Sequence, residues 1–241
     1  MFKGRYIQGK TREDTWFQLL FAAEEDGRKT HVDSGSFAGH DRLEFDFAAG
    51  EVLHAHQRPL APRLPEGVPA PTTDEGIEAY FAGYLMDPVL NDGEEYRYSV
   101  WINGELLNGY LGNVWETQLD WIIRHFREAG HGNNHCFIRI GQPEILFNYD
   151  KPYTTETERG TTPCLTGLDF KIKDGFLLTG VYYRSWDLYS GWPENMGGFT
   201  LLNEYVAELL PGVEPGPLFF SSCGLHCYDI QAEAVRRALH R

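Results

Sequence analysis

The stretch LDFKIKDGFLLTGVYYRS, residues 168–185, narrows the possible folds more than any other part of the chain. Leu168, Phe170 and Ile172 alternate with polar neighbours, which is the period of a strand with one buried face. Asp174-Gly175 is the dipeptide that a two-residue hairpin turn requires, because both positions take positive φ. The chain therefore contains an antiparallel pair of strands, and the remaining segments must be read around it. DTWFQLLFAAEEDG (14–27) has apolar residues at helical spacing and a glycine stop. TTDEGIEAYFAGYLM (72–86) opens with acidic residues, as a helix N-terminus favours. WETQLDWIIRHFREAG (115–130) sets Trp115, Leu119, Ile122, Ile123 and Phe126 on one stripe and ends at Gly130. FTLLNEYVAELL (199–210) places Leu202, Tyr205, Val206 and Leu209 on one helix face.

RLEFDFAAGEVLHAH (42–56), YRYSVWIN (96–103) and PLFFSSCGLHCYD (217–229) read as strands. RPLAPRLPEGVPAPTTDEG (58–76) is too rich in proline for regular structure and is expected as an extended surface segment. Helices and strands mix without a βαβ rhythm. The expected fold is α+β, a mixed sheet with flanking helices, in one domain over residues 1–241.

Bulk properties exclude several functions. With 42% hydrophobic and 23% charged residues, the 241-residue chain has an ordinary globular balance. No run of about eighteen apolar residues predicts a membrane span. The opening MFKGRYIQGKTRED lacks the apolar centre of a signal peptide, so the expected location is the cytosol. A formal net charge of -14 argues against a nucleic-acid or anionic-membrane surface. It leaves room for a small phosphorylated ligand, which needs only a few local cations. The four cysteines form no disulfide framework. CGLHC (223–227) does not have the spacing of a zinc pair, and no metal is expected.

Gly-rich phosphate fingerprints, a serine nucleophile elbow and His-Glu-x-x-His are all missing. Chemistry-bearing residues gather instead in the last third. TPCL puts Cys164 at the entry of the hairpin, and YRSWD puts Arg184, Ser185 and Asp187 at its exit. PENMGG follows, with Asn195, and then LHCY, with His226 and Tyr228 two apart on one strand face.

In order and spacing over about residues 115–230, this set resembles the thymidylate synthase family, which includes the pyrimidine-nucleotide hydroxymethylases; the early half is most similar to an archaeal-type branch. The resemblance implies transfer of a one-carbon unit from 5,10-methylenetetrahydrofolate to carbon 5 of a pyrimidine nucleoside monophosphate, with dUMP the expected substrate, no metal, and a homodimer formed through a sheet face. It implies Cys164 as the nucleophile that adds to carbon 6, a job for an activated thiol. It implies Arg184 beside that thiol and on the substrate phosphate, Ser185 in the phosphate site, and Asp187 on the folate. Asn195 would read the base, since a neutral amide both donates and accepts and so suits a uracil edge. His226 and Tyr228 would hold the sugar hydroxyl. Glu78 would manage protons at the base.

Each residue also has a plainer reading. Cys164 is then a small buried hydrophobe, Arg184 and Asp187 a surface ion pair, Asn195 a helix cap, His226 and Tyr228 core, and Glu78 a solvated helix residue.

The chain departs from the family pattern in several places. Asn134 and His135 stand where an arginine pair for the phosphate is expected. Ser34 lies near the place of an early phosphate-loop arginine. Arg58, Arg139 and Arg159 are the substitutes to consider. Leu165 follows Cys164 in place of histidine. The sequence ends at Arg241 without the tail that closes over the folate, so water has an expected route to the reacting methylene. That keeps two alternatives to thymidylate synthesis: a hydroxymethylase of dUMP, CMP or dCMP, and a catalytically silent nucleotide-binding relative.

Overall fold

The computed structural model describes residues 2–33, 35, 37–104, 106–108, 115–150 and 162–240. Strand β1 (Gly4–Gly9) leads into helix α1 (Arg12–Asp26). Thr11 caps that helix by accepting from the Asp14 amide, and Gly27 closes it. Strands β2 (Arg28–His31), β3 (Asp41–Phe45) and β4 (Phe47–Val52) follow. The single strand expected over 42–56 is thus two, and they belong to different sheets. Phe45 and Ala48 are both buried, an odd spacing that one continuous strand would send to opposite faces.

The proline-rich segment has no regular structure up to Thr73, as expected. Buried Arg12 fastens its start by donating to the carbonyls of Ala55, Gln57, Pro59 and Leu60. Helix α2 (Asp74–Tyr80), capped by Thr73, runs on as a wider π-type turn over Phe81–Met86. The strand expected at 96–103 is absent, and a second π-type turn occupies Val100–Gly104. Its buried residues Tyr98, Trp101 and Ile102 have helical, not alternating, spacing.

After the short strands β5 (Leu106–Asn108) and β6 (Trp115–Thr117), helix α3 (Gln118–Ala129) buries Leu119, Ile122, Ile123 and Phe126, the stripe read from the sequence. The side chain of Trp115, expected on that stripe, lies outside the described residues.

Strand β7 (Phe137–Arg139) precedes the hairpin of β8 (Leu165–Lys173) and β9 (Phe176–Tyr183). Its turn has Asp174 at φ 52° and Gly175 at φ 82°, the expected geometry. Strand β10 (Trp186–Asp187), helix α4 (Gly191–Glu208), strands β11 (Glu214–Ser222) and β12 (Leu225–Tyr228) and helix α5 (Ala232–Ala238) complete the order. The strand expected over 217–229 is again two. Gly224, at φ 79°, carries the chain from one sheet to the next.

The larger sheet has six strands in the order β1-β4-β11-β9-β8-β7, and β10-β12-β3-β2 form a second sheet. Helices α1 and α4 pack against the larger sheet. On that sheet Tyr6, Phe47, Phe137, Phe176, Tyr182 and Phe219 are exposed while their strand neighbours Ile7, Ala48, Ile138, Leu177, Val181 and Phe220 are buried. One face is therefore covered and the other carries open aromatic rings. Mixed parallel and antiparallel pairing with helices packed on it makes the α+β class plain.

Helix α4 explains Met-Gly-Gly. A Cβ on Gly197 would stand 2.7 Å from Ile77, and one on Gly198 would stand 2.6 Å from the Tyr80 ring. Only glycine lets α2 lie this close to α4.

Candidate active site

The open end of the hairpin sets the centre. Leu165 pairs with Tyr183, so Cys164 and Arg184 are neighbours across the ladder, and the Arg184 amide donates to the Cys164 carbonyl at 2.9 Å. The Arg184 guanidinium reaches back, Nε to the Pro163 carbonyl at 3.0 Å and Nη2 to the Thr162 carbonyl at 2.8 Å. It straps the segment that delivers the thiol. Burial pushes the half-buried Cys164 thiol up, and the Arg184 charge opposes this without reversing it. Ser185 follows, half-buried, on the bend into β10.

Besides Tyr228, phenols that no local sequence pattern marked face this thiol. The charge of Cys164 reaches Tyr84, Tyr98, Tyr183 and Tyr228. Tyr80 stacks on Tyr84 at 5.3 Å, and Tyr84 meets Tyr98 edge-on at 5.0 Å. Burial holds Tyr80, Tyr98 and Tyr183 well above the usual phenol range. All three therefore stay protonated donors at neutral pH.

Asn195 does not cap a helix. Helix α4 opens at Gly191, ahead of PENMGG, and Asn195 lies inside it with 9% of its surface exposed. Its Oδ1 accepts from the Trp186 indole nitrogen at 2.9 Å. The Tyr80 hydroxyl interacts with both Asn195 and Tyr183, yet Tyr80 Oη and Tyr183 Oη are buried without a well-formed hydrogen bond. Three polar groups thus meet in one place with capacity unspent.

The second sheet brings the next group. His226 is 3% exposed. Its Nδ1 lies 2.8 Å from the Gly224 carbonyl, and a carbonyl only accepts, so Nδ1 carries the proton. Nε2 is then a bare acceptor, and it is buried without a partner. Burial lowers the pKa of this ring, which keeps it neutral. Tyr228 meets His226 at 4.6 Å and stacks on Phe37 at 4.0 Å. Across the strands His226 pairs with Glu44 and Tyr228 with Arg42. Arg42 Nε lies 2.8 Å from Glu44 Oε2. Sequence reasoning missed this Arg–Glu pair, because its place beside the histidine comes from register alone.

Other expected residues stand differently. Asp187 lies beside His226 through the β10–β12 pairing. Its Oδ1 accepts from the amides of Tyr189 and Ser190, and its Oδ2 accepts from Gln231 Nε2. Both oxygens hold the entry to α4. Glu78 is exposed on α2, and its charge reaches Arg58 rather than the thiol cluster. The acid that does approach is Glu194, half-buried beside the Thr72 hydroxyl at 3.3 Å and within reach of Tyr80. Burial raises its pKa against that hydrogen bond.

Arg58 is spent on Glu204 at 2.9 and 2.8 Å. Arg139 is exposed on β7, and Asn134 and His135 are exposed just before it. Arg159 and Ser34 lie outside the described residues. Among the described residues, no group of three or more His, Cys, Asp or Glu side chains is placed to hold a metal ion. Among them too, no helix is long and apolar enough to cross a membrane.

An α+β scaffold thus holds a cysteine next to an arginine, with buried phenols, an asparagine and a neutral histidine on neighbouring elements. Comparison with known proteins gives the family. The profile of the family described as thymidylate synthase matches residues 145–241. A protein of Methanococcoides burtonii named "Putative thymidylate synthase" is 31% identical over 236 residues, covering 98% of this chain and 95% of the relative. Its namesake in Methanothermobacter thermautotrophicus is 30% identical, covering 92% and 94%. That of Methanosarcina mazei is 26% identical over 94% of this chain and 90% of its own. The chain belongs to the thymidylate synthase family.

Proposed function

We propose that this protein transfers a one-carbon unit from 5,10-methylenetetrahydrofolate to carbon 5 of a pyrimidine nucleoside monophosphate, dUMP above all. The observation that carries the reading is the pairing of Cys164 with Arg184 at the open end of the hairpin, facing the phenols and Asn195. Carbon 5 of a pyrimidine is a poor nucleophile. Addition of the Cys164 thiolate to carbon 6 turns the ring into an enolate, whose carbon 5 then forms a bond to the donor's methylene. Loss of the carbon 5 proton then expels tetrahydrofolate from the methylene carbon and leaves an exocyclic methylene on the Cys164 adduct. Hydride from the departing tetrahydrofolate, which becomes dihydrofolate, gives a methyl group, and capture of water gives hydroxymethyl; either addition expels Cys164 and restores the ring.

Because burial keeps the thiol protonated, its proton must leave when substrate binds. The guanidinium then stabilises the thiolate, and the surrounding phenols donate to the growing charge on sulfur or oxygen. The Nε2 acceptor of His226 suits a sugar hydroxyl, with Tyr228 beside it. Asn195 meets the base. Arg184 and Ser185 serve the phosphate. Asp187, the residue the resemblance assigns to the folate, acts in this reading by holding the loop that starts α4. We assign the chain to the cytosol, as one domain, working as a homodimer through the open aromatic face of the larger sheet.

The test is incubation of the protein with methylenetetrahydrofolate and each of dUMP, dCMP, UMP and CMP, with the product identified by mass. Methylated dUMP is expected, and Cys164→Ser abolishes it, because an alkoxide forms far less readily than a thiolate. A hydroxymethyl product selects the hydroxymethylase. Absence of any product, with no release of the carbon 5 hydrogen, selects the silent binder.

A further inference from the structure

We infer that Trp186 is a positioning residue that sets the choice between uracil and cytosine by fixing which end of the Asn195 amide meets the base. The inference rests on the proposal that Asn195 reads the base. An asparagine amide is symmetric in shape and opposite in chemistry at its two ends, so by itself it recognises either a donor or an acceptor edge. Something must choose. An indole N–H only donates, so Oδ1 must be the end that faces Trp186, at 2.9 Å. Nδ2, a donor, then faces away from the indole, interacting with the Tyr80 hydroxyl and keeping its second hydrogen for a ligand.

Trp186 is itself immobile. It is 2% exposed, and its ring stacks on Tyr183 with centroids 3.8 Å apart and planes 7° from parallel. Turning the amide would break the indole bond inside the protein, and a buried donor left unpaired is costly.

The consequence is an oriented reader. A donor at this place satisfies the O4 carbonyl of uracil. It meets the amino group of cytosine donor to donor. The buried Tyr80 hydroxyl, which interacts with Asn195 and Tyr183, adds a second polar group beside the amide. Oδ1 keeps a second lone pair, so the amide still accepts from the ring N3–H while its donor end is fixed toward O4.

The experiment measures affinity for dUMP and for dCMP by calorimetric titration in the wild type, Trp186→Phe and Asn195→Asp. Phenylalanine keeps the stacking on Tyr183 and removes only the N–H. The wild type should prefer dUMP, and Trp186→Phe should lower the dUMP:dCMP affinity ratio about tenfold, mainly by tighter dCMP binding as the amide becomes free to turn. A purely structural role for Trp186 would weaken both ligands alike and leave the ratio unchanged. An unchanged ratio in Trp186→Phe, with Asn195→Asp shifting toward dCMP, overturns this inference and leaves Asn195 as the reader. An unchanged ratio in Asn195→Asp overturns the base-reading role on which it rests. Should Trp186→Phe yield too little folded protein, Trp186→Leu, which also lacks the donor, is read the same way.

Discussion

At the scale of single residues, the question is whether burial or charge governs Cys164. Burial raises its thiol pKa, and Arg184 pulls it back only in part. The resting protein should therefore hold a thiol at neutral pH, and alkylation should speed up with a midpoint above the roughly 8.5 of a free cysteine. Cys223 is exposed and reacts as well, so the measurement belongs in a Cys223→Ser background. Cys136 and Cys227 are buried and silent there, Cys136 being pushed up to about 12 by burial and by Asp169. Arg184→Gln removes a charge that lowers the Cys164 pKa, so its midpoint should move further up. Iodoacetamide rates against pH, read at Cys164 by peptide mass, give both midpoints. A wild-type midpoint below that of a free thiol would mean that the guanidinium outweighs desolvation and that the thiolate is already present before substrate arrives.

At the scale of elements, the contact of α2 with α4 is the joint that holds Tyr80 over Asn195. A methyl at Gly197 or Gly198 meets the Ile77 or Tyr80 side chain well inside van der Waals distance. Overpacking of this kind typically costs about 1–3 kcal/mol, against the roughly 1 kcal/mol by which alanine favours a helix. Gly198→Ala should therefore lower stability by about 1 kcal/mol and also weaken nucleotide binding, because Tyr80 must retreat. Gly83, where an added Cβ meets open space, is the control, and Gly83→Ala should be neutral or slightly stabilising. Urea unfolding of the three proteins compares them, and equal midpoints would show that α2 yields without cost.

The same elements show what could be read in advance. Helices α1 and α3 were legible because each has a threonine cap and a glycine stop, with α3 adding a clear apolar stripe. The start of α4 was hidden, because its buried residues run consecutively from Asn195 to Thr200, surround the helix and leave no polar face to set a period. The strand break at Asp46 was hidden because Phe45 and Phe47 stand on either side of it. Of the site, the ordered motifs were legible, since chemistry demands residue types in sequence. The phenol wall, the Arg42–Glu44 pair and the Trp186–Asn195 bond arise between distant elements, and no local pattern carries them.

At the scale of the whole molecule, the larger sheet is covered on one face only. The open face carries Phe219 on β11, a central strand, Tyr182 on β9 beside it, and Phe137 and Tyr6 toward the two edges. Charges near this face are largely spent internally, as in the Lys171–Asp169 pair at 3.2 Å and the Gln8–Glu51 hydrogen bond. Exposed aromatic rings spread over one sheet face mark an interaction site, and a second copy presents the same face in an isologous contact. The wild type should therefore sediment at twice the chain mass at micromolar concentration. Phe219→Lys places an unpaired charge at the centre of that contact, where truncation of an anchor commonly costs about 2 kcal/mol or more. Dimer affinity should fall by roughly thirtyfold or more. Phe219 points away from the buried core, so thermal unfolding of the variant, extrapolated to low protein concentration, should match the wild type. Sedimentation equilibrium over a dilution series measures the association directly. A wild type that stays monomeric through tens of micromolar would remove the dimer, and a Phe219→Lys variant that dimerises as tightly as the wild type would move the interface off this face.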